Sequence, residues 1–138
     1  MKRKDVLLME NQWDTEDLIR EIVESAKIIR HEFPPGYEEK IYKNALLIEL
    51  QERGIHVDTE VAFSVNYKGH VLGEYRADII AEGKCIIELK AVRTIAPVHE
   101  VQLVNYLNAT GIDDGLLINF GGDVIEIRRK YRLYWREK

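Results

Sequence analysis

The sequence predicts one α/β domain built on a mixed sheet, with elements in the order ααβββαββ. Three observations carry that reading. Two helical apolar patterns fill the chain up to Gly54, and three strand-like runs follow between Val61 and Val92. A helical stretch from Pro97 then returns to a short apolar run at 115–119. A helical crossover of that length suits a parallel pair of strands, so the sheet mixes parallel and antiparallel neighbours.

Residues 1–13 read as irregular or as a short strand, with Val6-Leu7-Leu8-Met9 able to dock on the body. A helix begins near Asp14 or Thr15, either of which can cap it, and Glu16 and Asp17 favour its first turn. Leu18, Ile22, Ala26 and Ile29 recur at helical spacing, joined by Ile19 and Val23, and Pro34-Pro35 ends the pattern. A second helix starts after Gly36 and runs to about Arg53, with Gly54 as its stop. Tyr37, Ile41, Ala45 and Ile48 form one stripe, widened by Tyr42, Leu46 and Leu50. So broad a surface predicts contact with both the sheet and the first helix.

The period then changes to two. Val61, Phe63, Val65 and Tyr67 alternate with polar residues, the mark of a half-buried strand. Lys68-Gly69 predicts a tight turn, and Val71 to Ala81 returns antiparallel. Glu82-Gly83-Lys84 turns into the next strand, Cys85-Ile86-Ile87-Glu88-Leu89-Lys90-Ala91-Val92. Pro97 suits the first turn of a third helix, which runs to about Ala109, stops at Gly111 and turns Val101, Val104 and Leu107 to the core. Gly115 to Asn119 is a short strand, Gly121-Gly122 a turn, and Val124-Ile125-Glu126-Ile127 the last strand.

Length and composition fit a single soluble domain. The chain has 138 residues, 46% hydrophobic and 32% charged, enough for a core without staples. One cysteine, Cys85, excludes an internal disulfide and sits in an apolar strand as a small buried hydrophobe. Met1-Lys2-Arg3-Lys4 is followed by an apolar run that stops at Met9, so no signal peptide is expected. No apolar run approaches the roughly 20 residues of a membrane helix, and a cytoplasmic location is expected. The net charge of −4 argues against strong non-specific binding to nucleic acid. The charge is uneven, however. Arg128, Arg129, Lys130, Arg132, Arg136 and Lys138 interleave with Tyr131, Tyr134 and Trp135. That pattern reads either as a phosphate-contacting or base-stacking tail or as a solvated last strand.

The chemistry concentrates on two neighbouring strands. Alternation puts Glu88 and Lys90 on one face of a strand that should be central and buried, opposite Cys85, Ile87 and Leu89. An acid and a base placed there destabilise the fold unless something uses or pairs them. Asp78 is the acid in the apolar part of the preceding strand. Two carboxylates on adjacent strands can hold a hard cation such as Mg²⁺ through oxygen. The cation would activate water and neutralise phosphate charge, and a lysine two residues on could orient that water. His31, His56 and His70 fit no zinc spacing, and His99 is expected at the surface or behind the site.

At Asp78 and Glu88-Leu89-Lys90 the chain resembles the PD-(D/E)xK nuclease superfamily, with Ala77 in place of the proline. The resemblance implies a restriction-endonuclease-like αβββαβ core between about residues 36 and 129. The first helix and last strand are then additions, and 1–13 and 130–138 are flanking segments. Gly36-Tyr37-Glu38-Glu39-Lys40-Ile41-Tyr42 reads G-x-x-E-x-x-Y and is similar to the small prokaryotic GxxExxY family. That likeness implies Glu39 as a further acid of the metal site. Gln102-Leu103-Val104-Asn105-Tyr106 reads Q-x-x-x-Y, as in the exonuclease-like branch, and puts Gln102 and Tyr106 on one helix face. Together the resemblances imply a Mg²⁺- or Mn²⁺-dependent nuclease acting on nucleic acid, with DNA favoured. Asp78, Glu88 and Glu39 would hold metal, Lys90 would position water, and Gln102, Tyr106, Arg128 and Arg129 would meet the substrate. A homodimer is expected, because so small a domain covers little of a duplex. The alternative is a catalytically silent module of the same fold that binds nucleic acid or a protein partner.

Overall fold

Asp14 starts the first helix by accepting the Asp17 N–H at 2.8 Å, and α1 then runs Thr15–Glu32. A computed structural model describes residues 13–133. The expected docking of Val6-Leu7-Leu8-Met9, and the tail residues Tyr134, Trp135, Arg136 and Lys138, lie outside them. The order that follows is α2 (Glu39–Glu52), β1 (Val57–Tyr67), β2 (His70–Ala81), β3 (Cys85–Lys90), α3 (Pro97–Thr110), β4 (Asp114–Asn119) and β5 (Glu126–Tyr131). The five strands lie side by side in chain order. β3 and β4 are parallel and the other neighbours antiparallel, as the crossover through α3 predicts. This is the mixed α+β architecture expected. No helix among the described residues is long and apolar enough to cross a membrane.

The sheet separates two cores. α1 and α2 cover one face, where Leu18, Ile22, Tyr42, Leu46 and Leu50 meet Cys85, Ile87 and Leu89. α3 covers the other, where Leu103 and Leu107 meet Ile80, Ile86 and Leu117. Cys85 is buried as expected, and burial pushes its thiol up to about 12, which keeps it unreactive.

Four expected details are corrected. α2 begins at Glu39 rather than just after Gly36, because Gly36 turns with φ +118° and Glu38 is still extended. Its core stripe is Tyr42, Leu46 and Leu50, while Tyr37 and Ile48 are exposed. A helix apolar on nearly every side leaves its phase open, and packing against α1 selects it. On α3 the buried pair is Leu103 and Leu107, with Val101 exposed. The last strand begins at Glu126, so Val124 is exposed in the preceding loop and Arg128, Arg129 and Lys130 are strand residues.

Both hairpin turns have positive φ at their two central residues, Lys68-Gly69 and Glu82-Gly83, the type I′ geometry that matches strand twist. A third left-handed residue, Glu60 (φ 51°), lies inside β1. The β1–β2 register passes from Thr59↔Ile79 to Val61↔Ala77 and skips Glu60 opposite Asp78. Core membership changes there. Val57, Ile79 and Ala81 pack on the α1/α2 side, whereas Val61, Phe63 and Ala77 pack on the α3 side. Those positions would share one side of a regular two-stranded ribbon. The left-handed residue therefore turns the outer hairpin over, towards α3.

Asn119, fully buried at the end of β4, fixes the exit from β3. Its Oδ1 accepts from Val92 N–H and Gly121 N–H at 2.9 and 3.0 Å, and its Nδ2 donates to the Val92 carbonyl and to Glu126 Oε1. That Glu126 oxygen also accepts the Ile95 N–H at 3.0 Å. Gly121 is required here, because a Cβ would lie 2.2 Å from the Val92 carbonyl oxygen. Asn119→Ala leaves several buried backbone groups unpaired, and a loss of about 1–3 kcal/mol in unfolding free energy is expected by denaturant titration. No measurable loss would remove the staple from this account.

Candidate active site

Asp78 and Glu88 face each other across β2 and β3 where the ladder ends. Their pairing runs Ala81↔Cys85, Ile80↔Ile86 and Ile79↔Ile87, and Asp78 and Glu88 occupy the next position. There side chains replace the backbone bonds. Asp78 N–H donates to Glu88 Oε2 at 2.7 Å, and Leu89 N–H donates to Asp78 Oδ2 at 3.0 Å. Each carboxylate thus has one oxygen held by the neighbouring strand's backbone.

Glu88 is 7% exposed. Burial, then the Asp78 charge, pushes its carboxyl up to about 8, against the lowering effects of the Asp78 N–H and of Lys90. Lys90, two residues on along the same face of β3, is only partly buried and makes no ion pair among the described residues. Glu39 stands at the rim, exposed in its bulk, yet its carboxyl is raised by partial desolvation first and by Asp78 second. Asp78, Glu88, Lys90 and Glu39 are therefore brought within electrostatic reach of one another. They do not form a closed cage: among the described residues no three Asp, Glu, His or Cys side chains gather closely enough to enclose an ion.

The G-x-x-E-x-x-Y stretch explains how Glu39 arrives. Gly36 supplies the left-handed turn. Tyr42, fully buried and stacked on Phe120 at 4.8 Å, donates to the Pro34 carbonyl at 2.6 Å and accepts the Tyr37 N–H at 3.1 Å. The turn is fastened to the helix by its own tyrosine, and Glu39 leads α2 toward Asp78.

Two residues, Lys43 and Glu60, were not expected from the sequence. Lys43, one turn after Glu39, lies 4.0 Å from Asp78 Oδ1 and also pairs with Glu60, the left-handed residue of β1. The spacing of four from Glu39 places Lys43 on the same helix face, the only sequence signal it carries. On α3, Gln102 and Tyr106 line one groove. The Tyr106 phenol is raised by desolvation and then by the charges of Glu88 and Asp78, which ties this groove to the acidic pair. His99 is a capping residue whose Nδ1 accepts the Ala96 N–H at 3.1 Å.

The two arginines part, and only Arg128 keeps to the row of Glu88 and Leu117 on the α3 side. Arg129 forks onto Glu16 at 2.8 and 2.7 Å and reaches Asp114 at 2.9 Å, joining β5 to the start of α1. That is the face of the sheet opposite α3. Arg128 is half-exposed, 3.5 Å from Glu126.

A family model described as the PD-(D/E)XK nuclease superfamily matches residues 16–130. This chain belongs to that superfamily. The match spans every helix and nearly the whole sheet, including the Asp78–Glu88 junction. Among solved structures, the crystal structure of SSO0001 is similar at a TM-score of 0.54 and 26% identity. The likeness covers 67% of this chain and 49% of that one, so the chain spans about half the length of the structure it matches. No curated protein matched the chain.

The raised Glu88 carboxyl has a consequence for stability. Its folded value of about 8 lies above the ordinary value of 4.5. Between those two pH values the folded protein keeps a proton that the unfolded chain releases, so unfolding free energy falls as pH rises through the window. Without divalent cations, denaturant titrations from pH 5 to 8 should show a decline of up to about 1.4 kcal/mol per pH unit from this group. Glu88→Gln should flatten that decline. An equal slope in both proteins would contradict the assignment.

Proposed function

We propose that this chain is a divalent-metal-dependent nuclease of the GxxExxY kind that hydrolyses phosphodiester bonds, with DNA its favoured substrate. The observation that carries the reading is the Asp78–Glu88 pair at the end of the β2–β3 ladder, with Lys90 beside it on β3. Two carboxylates without nitrogen or sulfur donors suit Mg²⁺ or Mn²⁺, which keep several waters and accept substrate phosphate as a ligand. Such an ion needs no closed protein cage. When bound, it supplies an acidified water and neutralises charge on the scissile phosphate.

The chain's own groups do the rest. The backbone N–H bonds to Asp78 Oδ2 and Glu88 Oε2 fix the two carboxylates, whose other oxygens would hold the cation. Lys90 directs the attacking water and offsets charge that builds on the phosphate. Lys43 balances Asp78 from the other side. Glu39, at the rim, would complete or support the cation site. Gln102 and Tyr106 meet the substrate from α3. Arg129 has no part in this scheme, since its guanidinium is committed to Glu16 and Asp114.

Titration calorimetry with Mn²⁺ tests the reading before any substrate is known. Saturable binding is expected in the wild type and its loss in Glu88→Ala. With a cleavable substrate, Asp78→Asn should abolish divalent-dependent cleavage, and Lys90→Ala should slow it roughly 10²–10⁴-fold, both as folded proteins. The acidic net charge of −4 favours a second reading, the catalytically silent module. Wild type that binds no Mn²⁺, alone or with a short oligonucleotide, would establish the silent module and overturn the nuclease.

A further inference from the structure

The outer β1–β2 hairpin and the exposed face of α3 enclose an open groove of about 630 Å³, within the range of small-molecule clefts. Its walls include Val65, Tyr75, Val101, Gln102, Asn105 and Tyr106. No charged side chain lines it among the described residues. Tyr75 is 44% and Val101 57% exposed, unusual for large apolar groups beside a polar site.

The aromatic rings are assembled rather than scattered. Phe63 stacks on Tyr75 at 5.9 Å, meets Tyr106 edge-on at 4.9 Å, and Tyr75 lies 5.8 Å from Tyr106. The turned hairpin beyond Glu60 brings Phe63 and Tyr75 to α3. Gly73 leaves room for the Tyr75 ring, since a Cβ there would lie 3.1 Å from it. Tyr106 belongs to this groove and packs against the cluster that holds Ala77 and Ile86, neighbours of Asp78 and Glu88 on β2 and β3, so groove and acidic pair adjoin. The side chains of Gln102 and Asn105 have no hydrogen-bond partners among the described residues.

We propose that this groove is a nucleobase subsite. It takes the base of a nucleotide whose phosphate lies at Asp78 and Glu88, stacked on Tyr75 and Tyr106, with Gln102 and Asn105 bonding its edge. A phosphate would need cations, which the groove lacks. A base needs aromatic surface and carboxamides that both donate and accept, which the groove supplies. A base inside a duplex cannot reach such a cleft, so the preferred substrate is a single strand or a frayed end. Binding by stacking also suits a protein of net charge −4, which has little general attraction for the phosphate backbone. The inference rests on the nuclease reading of the adjoining carboxylates.

The test uses a fluorescent single-stranded oligonucleotide, a blunt duplex of the same sequence, and the Tyr75→Ala and Tyr75→Phe proteins. Wild type should bind the single strand more tightly than the duplex. Tyr75→Ala should weaken single-strand binding about 5- to 150-fold, the effect of losing one stacked base, and Tyr75→Phe should retain it. Mn²⁺ affinity, read by calorimetry, should be the same in all three. If Tyr75→Ala binds the single strand as well as wild type, or the duplex binds better, the subsite is overturned even though Mn²⁺ still binds. If Tyr75-dependent binding persists in a protein that takes no Mn²⁺, the subsite stands and the nuclease reading fails. If the wild type binds neither oligonucleotide and Tyr75→Ala instead dissolves a dimer in sedimentation, a second copy of this chain is the occupant and the proposal is wrong.

Discussion

Strand β2 loses its backbone ladder on both sides at Asp78. Toward β1 the interruption is the left-handed Glu60, and toward β3 it is the splay that begins after Ile79↔Ile87. A central strand that gives up pairing at one residue leaves polar backbone groups to be satisfied, because buried amides cannot go unpaired. Asp78 and Glu88 satisfy them with their own carboxylates. The same interruption turns the outer hairpin over, which carries Phe63 and Tyr75 across to α3. One irregular position thus produces both the acidic pair and the aromatic groove beside it. A left-handed non-glycine residue costs about 1–3 kcal/mol, and such strain collects at functional positions.

The electrostatics follow from that geometry. Two carboxylates at a strand junction repel each other, and burial disfavours the charge on Glu88. Lys43 and Lys90 compensate from different elements, one from α2 and one from β3 itself. What they leave uncompensated is what a divalent cation would supply. The supporting structure is stiff where it needs to be: Tyr42 fastens the turn before Glu39, and Asn119 fastens the chain just after Lys90. Neither side chain touches the acidic pair. Each fixes the backbone that delivers a residue which does.

Much of this was legible because strand chemistry is periodic. Glu88 and Lys90 stand out in an apolar run, and a period of two assigns them a shared face before any fold is known. Turns at Lys68-Gly69 and Glu82-Gly83 and the crossover through α3 were readable from turn residues and length. Lys43 was not, because its relation to Asp78 and Glu60 is tertiary and a lysine on a helix is ordinary. Asn119 was readable in principle as the one polar residue in Leu116-Leu117-Ile118-Asn119-Phe120, but its partner Val92 lies in a loop 27 residues away. The arginines of β5 resemble a solvated tail in sequence, since a charged edge strand and a tail share composition. Only pairing with β4 and Glu16 separates Arg129 from a free cation. The core phase of α2 could not be chosen from a helix that is apolar on most of its circumference.

The central claim is that the Asp78–Glu88 junction holds a carboxyl that burial keeps protonated until a cation takes the proton's place. Carbon-13 NMR of the Glu88 side-chain carboxyl measures this directly. In the metal-free protein its resonance should titrate near 8 rather than at the ordinary 4.5, and added Mg²⁺ should move the midpoint to markedly lower pH. A Glu88 carboxyl that titrates in the ordinary range with and without Mg²⁺ would contradict the account.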